Sequence, residues 1–473
     1  MLVPPLSIIH LARVDFVIWF AMCASMQVID NIFKEFHAPK GSFRAHVVTL
    51  MTGTVIAQAI SILISPFLTR VYSPADFGVF AAFTSLVSIV GILANGRFEL
   101  AIMLPDNDDD AINILALSIF ICFVISGATY LVVRFFRPQL VGLLGNSDIS
   151  NWLYLAPLSV LLAGLYQSFS YWVSRSKQYK CLSFSRISQA IASAVLNLIL
   201  GMAGYGVAGL IWANLAGQSI SSTLLILQAK KDGLGTRKVV TKRRIKHNAL
   251  KYRDFPLINT WHALMDSVQA NGVVFIISYF FGSSSLGLYS LTLRALRIPI
   301  SLIGSSVSQV FYQRASEVYS NGGDLNKLVR KTMIRLAIIA LPIFISIFFF
   351  APWAFGVIFG KGWHPAGVYA RILSPWLLLN FIVSPVSQIP IIVRNQKAGF
   401  IASFLCQSIP ISTLFLTGYI GKGIDFALFA FSISGSIALL LYIFWILFIS
   451  LDYKRSEGGV RENSYSRSSI LRS

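Results

Sequence analysis

The chain has 473 residues, of which 55% are apolar and only 12% charged, with a mean hydropathy of +0.70. Soluble domains carry about 25% charged residues, so this composition excludes a soluble globular protein: too little polar surface exists to keep so long a chain in water. The net charge of +20 does not point to nucleic acid, because the Lys and Arg residues lie in short gaps between apolar runs, where cytoplasmic anchoring accounts for them.

Residues 1–45 stand apart. Leu6 to Ile29 is apolar, yet His10, Arg13, Asp15 and Gln27 interrupt it, and no small-residue cleavage site follows a positive start. A cytoplasmic or interfacial extension is expected there rather than a span. From residue 46 the pattern turns regular. A helix crosses the hydrocarbon in about 20 apolar residues, and twelve such segments follow. Six run over 46–69, 76–96, 111–134, 149–173, 182–202 and 206–228. Six more run over 257–281, 285–312, 332–357, 366–392, 398–418 and 424–451.

Between the two sets lies a linker, residues 229–256, that holds ten of the 39 Lys and Arg residues. Short loops this basic stay in the cytoplasm. With both termini also cytoplasmic, 31 basic residues fall on the inner side and 5 on the outer; one helix more or fewer would scramble that asymmetry. The tail, 453–473, is rich in Ser and Arg and is expected to lack regular structure. The predicted architecture is thus an all-α polytopic membrane protein with halves at 46–228 and 257–452.

The halves echo each other. Phe77-Gly78-Val79-Phe80 returns as Leu286-Gly287-Leu288-Tyr289, an offset of 209 residues, and the basic turn at Arg175–Lys180 has a counterpart at Arg394–Lys397. Six spans per half is an even number, so the repeats share one orientation and relate by an axis along the membrane normal. No enzyme motif accompanies this pattern. Cys23, Cys122, Cys181 and Cys406 show no metal or disulfide spacing. Gly356 to Lys361 has the wrong spacing for a nucleotide phosphate loop. No cofactor is expected.

Several stretches carry a family resemblance. Gly53-Thr54-Val55-Ile56-Ala57-Gln58 leads to Leu68-Thr69-Arg70-Val71-Tyr72-Ser73-Pro74-Ala75-Asp76-Phe77-Gly78. Arg97-Phe98-Glu99-Leu100-Ala101 follows, then Tyr171-Trp172 and Ser185-Arg186. The second half reads Tyr252-Arg253-Asp254-Phe255-Pro256-Leu257, Ser278-Tyr279-Phe280-Phe281-Gly282 and Ser308-Gln309-Val310-Phe311. Over about residues 43 to 452 the chain resembles the polysaccharide-transport branch of the multidrug/oligosaccharidyl-lipid/polysaccharide (MOP) exporter superfamily, the O-antigen-type flippases. The resemblance implies two six-helix bundles facing each other across a cavity. It also implies alternating access that carries an undecaprenyl-diphosphate-linked oligosaccharide across a bacterial inner membrane. The partners it implies are that carrier lipid and the bilayer, with room for other polysaccharide-assembly membrane proteins.

Charges inside the spans are the candidate site. Arg294 and Arg297 lie three apart, on one face of the eighth segment; each costs about 3 kcal/mol at the bilayer centre unless it faces protein or water. A diphosphate fits the planar donor fork of guanidinium. Balance against Asp266 on the neighbouring helix, at the depth of Arg297, is the competing reading. Asp266 is also the candidate ion-coupling group, since apolar surroundings raise a carboxyl pKa; His262 beside it is expected to be a satisfied core histidine. Arg70 and Arg371, at outer helix ends, are expected to touch substrate or to snorkel. Arg97 and Glu99 mark the inner end of the second segment, pairing with each other or meeting a headgroup. Asn259 and Gln269, with Gln58, Asn197, Asn214, Gln218 and Asn271, line a sugar path or make interhelical hydrogen bonds, the commoner use of such amides. Asp106 to Asp110 is expected to be solvated and to cap the third helix. Two rival functions remain. A cation exporter of the same superfamily would want carboxylates where this chain has arginines. A membrane enzyme would need larger outer loops.

Overall fold

The computed structural model describes residues 43–234 and 239–470. The extension predicted over residues 1–45 lies almost wholly outside them. In the first half, α1 (Phe43–Leu63) and α2 (Ser65–Val71) form one span, broken at Ile64 ahead of Pro66. Then come α3 (Pro74–Leu93), the short α4 (Phe98–Ala101), α5 (Asp108–Leu144), α6 (Ala156–Arg175), α7 (Tyr179–Met202) and α8 (Val207–Lys231). The linker contains α9 (Lys242–Lys251) and a π-helical turn, Phe255–Asn259. The second half holds α10 (Thr260–Ser320), α11 (Leu325–Ile358), α12 (His364–Val386), α13 (Ile389–Ile392), α14 (Gln396–Tyr419) and α15 (Ile424–Ile470). The backbone of α15 continues through the tail where no regular structure was expected, as a helix already nucleated by a long apolar span can do.

Eleven stretches among the described residues are long and apolar enough to cross a membrane. One of them, Phe255–Arg297, has 43 residues. That is about 64 Å of helix, twice the hydrocarbon thickness. It is two arms, because Gly282 breaks α10 with φ 78° and ψ 176°, a conformation open in practice only to glycine. Counted as arms, the spans number the expected twelve. All the described secondary structure is helical.

Geometry now carries the repeat further than the short sequence echoes could. α7 and α14 each have 24 residues and start and stop 217 positions apart, Tyr179 to Gln396 and Met202 to Tyr419. Before them, Lys177 and Arg394 both take the left-handed conformation, with φ of 57° and 59°. In both turns the next amide reaches back to a carbonyl five residues earlier, Gln178 to Val173 and Asn395 to Pro390. This is the bonding of a helix C-terminal stop. The turn after each helix repeats too: Tyr205 donates to Leu200 and Lys422 to Thr417.

The acidic run is not simply solvated. Asp108, Asp109 and Asp110 form the first turn of α5 and hold other elements there. Asp108 pairs with Arg175 at 3.2 Å, Asp109 with Arg244 of the linker at 3.0 Å, and Asp110 accepts from Asn248 at 3.3 Å. Asn113 adds two bonds, to the Val239 carbonyl and from the Thr241 amide. The basic linker is thereby docked on the first half.

Candidate functional site

The two halves meet along α3 and α10. Call the end of the bundle that carries the linker the linker end, and its opposite the far end. At the far end, α3 and the second arm of α10 cross so closely that no side chain fits between them. A Cβ on Gly78 would lie 1.8 Å from the Ser283 carbonyl oxygen, and one on Gly287 would lie 1.7 Å from that of Pro74. These contacts are reciprocal under the 209-residue offset: Pro74 maps to Ser283 and Gly78 to Gly287. The motif that betrays the repeat in the sequence is therefore the contact at its pseudo-twofold axis. Around it, the buried Trp363 indole donates to the Thr69 carbonyl at 2.8 Å and stands edge-on to Phe77, centroids 5.1 Å apart. Asn146 donates to Ser283 at 2.7 Å, and the Ser278 hydroxyl to the Leu144 carbonyl at 2.7 Å. Sequence reasoning missed Trp363, Asn146 and Ser283; none carries a charge or stands in a charged motif.

Arg294 sits on the second arm, about 10 Å along the axis from Gly287 by helical rise, towards the linker end. It is half-buried, and no carboxylate pairs with it among the described residues. Its counterpart in the first half is the buried Ser85, so the repeat is broken where the charge stands. One turn nearer the far end, Ser290 leaves a buried hydroxyl without a partner. Arg297, on the same stripe, is exposed.

At the linker end a single side-chain hydrogen bond between described residues spans the halves. Arg97 Nε donates to Asn259 Oδ1 at 2.8 Å. Arg97 is itself left-handed, φ 60°, at the N-terminus of α4. Its guanidinium lies 3.6 Å from Glu99, whose side chain is 2% exposed and whose second oxygen has no partner. Burial pushes the Glu99 carboxyl above its ordinary range, against weaker lowering by a backbone hydrogen bond and by Arg97. The Arg97–Glu99 pair and Asn259, singled out separately in the sequence, thus form one cluster, anchored on the π-helical turn that opens α10.

Other candidates fall elsewhere. Asp266 is neither enclosed by protein nor set against Arg297. It pairs at 3.3 Å with His262, four residues earlier, and both side chains are 64% exposed. They share a face of the first arm with Ile258, Trp261 and Met265, all exposed among the described residues, and the His262 ring stands 6.1 Å from that of Phe400 on α14; the expectation of a core histidine is corrected likewise. Arg371 has a backbone task. Its Nε donates at 3.0 Å to the Phe348 carbonyl, which Pro352, four residues on and lacking an N–H, leaves unbonded. Arg70 is exposed. Gln269, Gln58, Asn197 and Gln218 each keep one buried polar atom without a partner. Asn214 and Asn271 bond within their own helices.

Comparisons with solved structures agree on this two-repeat helical fold. An inward-facing multidrug resistance MATE family transporter of the MOP superfamily superposes with a TM-score of 0.65 at 12% identity, over 84% of this chain and 96% of that one. Lipid II flippase MurJ, in an inward closed conformation, gives 0.64 at 15% identity, over 86% and 87%. Residues 67–368 match the polysaccharide biosynthesis protein family. The chain belongs to that family, and its eleven stretches long and apolar enough to cross a membrane make it a multi-pass membrane protein. The succinoglycan biosynthesis transport protein ExoT of Rhizobium meliloti (strain 1021) is 24% identical over 342 residues, 71% of this chain and 65% of its own length.

Proposed function

We propose that this protein moves an undecaprenyl-diphosphate-linked oligosaccharide from the inner to the outer leaflet of a bacterial inner membrane, for O-antigen, capsule or exopolysaccharide synthesis. The two halves rock about the α3–α10 seam, giving alternating access, with both termini and the linker in the cytoplasm. One observation supports the reading above the rest: Arg294, half-buried and without a carboxylate among the described residues, in the arm that meets the other half. A guanidinium held from water without a counter-ion favours an anionic ligand, and its fork of donors matches diphosphate oxygens. A cation exporter would need a carboxylate in that position. The only described acid of the first arm, Asp266, is 64% exposed and pairs with His262.

The test uses a strain lacking the gene, with lipid-linked oligosaccharide located by leaflet. Wild type should relieve build-up on the cytoplasmic leaflet, and Arg294→Gln should cut transport by about tenfold or more, the worth of one charge-assisted pair. Arg294→Lys should rescue only partly, because an ammonium lacks the planar fork. Full activity in Arg294→Gln would remove that residue from the substrate path. No build-up in the deletion strain would overturn the flippase reading.

A further inference from the structure

One cavity lies away from the seam. It measures about 770 Å³ and opens at the linker end between the start of α11 and Ser450 and Leu451 of α15. Lys327, Arg330, Lys331 and Arg335 line it, with Ile334 between them. Their spacing of three, four, seven and eight residues places all of them on one face of α11. Retention of positive loops in the cytoplasm needs no common face, so topology alone does not explain the stripe.

Charge pairing also sets this face apart. Arg175, Arg244 and Arg97 each have a carboxylate at the same end of the bundle. The four α11 cations have no ion pair among the described residues. Asp324, the one acid lining the cavity, caps α11 by accepting from the Lys327 amide at 2.9 Å. The wall is fixed: buried Asn326 donates to the Leu447 carbonyl at 2.9 Å and to Ser450 Oγ at 2.8 Å. Ile334 and Leu451 give the same cavity an apolar side.

We infer that this cavity binds the phosphate-bearing headgroup of an anionic phospholipid. Cations on one wall meet the phosphodiester, and the apolar side meets the start of the acyl chains. Basic pockets between spans at the cytoplasmic face suit such headgroups, and the apolar lining favours a lipid over free phosphate. The site is separate from Arg294 and stands or falls independently of the transport reading.

The test is lipid retention by the purified full-length protein in detergent, followed by native mass spectrometry during titration with dioleoylphosphatidylglycerol. Wild type should hold the lipid in preference to phosphatidylcholine. Arg330→Gln/Lys331→Gln/Arg335→Gln should weaken retention by about fivefold for each cation removed, and Arg330→Lys/Arg335→Lys should keep it. Lys242→Gln/Lys246→Gln/Lys251→Gln, an equal loss of charge on α9, should leave it unchanged, and a lipid-free melting curve reports whether each variant is folded. Equal loss in the α9 variant, or none in the α11 variant while folded, overturns the site. Displacement of the lipid by inorganic phosphate, itself then retained, overturns the lipid as its ligand.

Discussion

The two ends of the seam are built on opposite principles. At the far end, backbone lies on backbone: Gly78 and Gly287 leave no room for a Cβ, and Trp363, Asn146 and Ser278 fasten the rim with buried hydrogen bonds. At the linker end, one bond from Arg97 to Asn259 crosses the halves, next to a buried carboxylate with an unbonded oxygen. Close packing has little tolerance, because contacts are lost or clash within fractions of an ångström. One polar bond is worth about 0.5–1.5 kcal/mol net. The far end is therefore the tightly packed end of the seam and the linker end the loosely tied one; under the alternating access proposed above, the far end would be the closed gate.

The contrast breaks most completely at the glycines. Gly78→Val or Gly287→Val should keep the far end from closing and reduce transport by more than about tenfold, since overpacking of this kind costs about 1–3 kcal/mol or more. The check is maleimide labelling of a cysteine placed at Leu286, which is fully buried here; it should react much faster in the valine variants than in the otherwise wild-type protein. Unchanged labelling would mean that the crossing is not a gate. Trp363→Phe keeps the ring against Phe77 but leaves the Thr69 carbonyl unbonded. An expected loss of about 1–3 kcal/mol in the closed form would appear as faster labelling at the same site, with smaller effect than the valines.

Glu99 sharpens the linker side, and its effect should be the smallest. Its folded-state pKa is raised above the ordinary 4.5, so the folded protein holds the proton more tightly than the unfolded chain does. Stability contributed by this group is present at low pH and falls as pH rises from about 4.5 through the raised value. Glu99→Gln should flatten that slope in melting temperature without lowering it at neutral pH. An identical slope in the variant would place the titration elsewhere.

Much of this architecture was legible without coordinates, for a physical reason. A bilayer demands about twenty apolar residues per crossing and retains positive loops on one side, so local composition specifies spans. The echo of Phe77-Gly78 in Leu286-Gly287 likewise announced the repeat, because a symmetric contact needs the same small residue twice. Tertiary structure alone decided which charges matter. Arg371 and Arg294 look alike as arginines in apolar helices. One is occupied by a carbonyl that Pro352 freed, and the other has no carboxylate partner among the described residues. Asp266 and Arg297 match in depth by counting, yet helix rotation turns Asp266 away from Arg297 and into an exposed pair with His262. Arg97 and Glu99 share one motif, but Asn259 is far from them along the chain, and only the docking of the halves brings it into their cluster. Sequence determines what can lie in the membrane; the packing of one helix on another determines which polar groups are satisfied there and which remain free to bind.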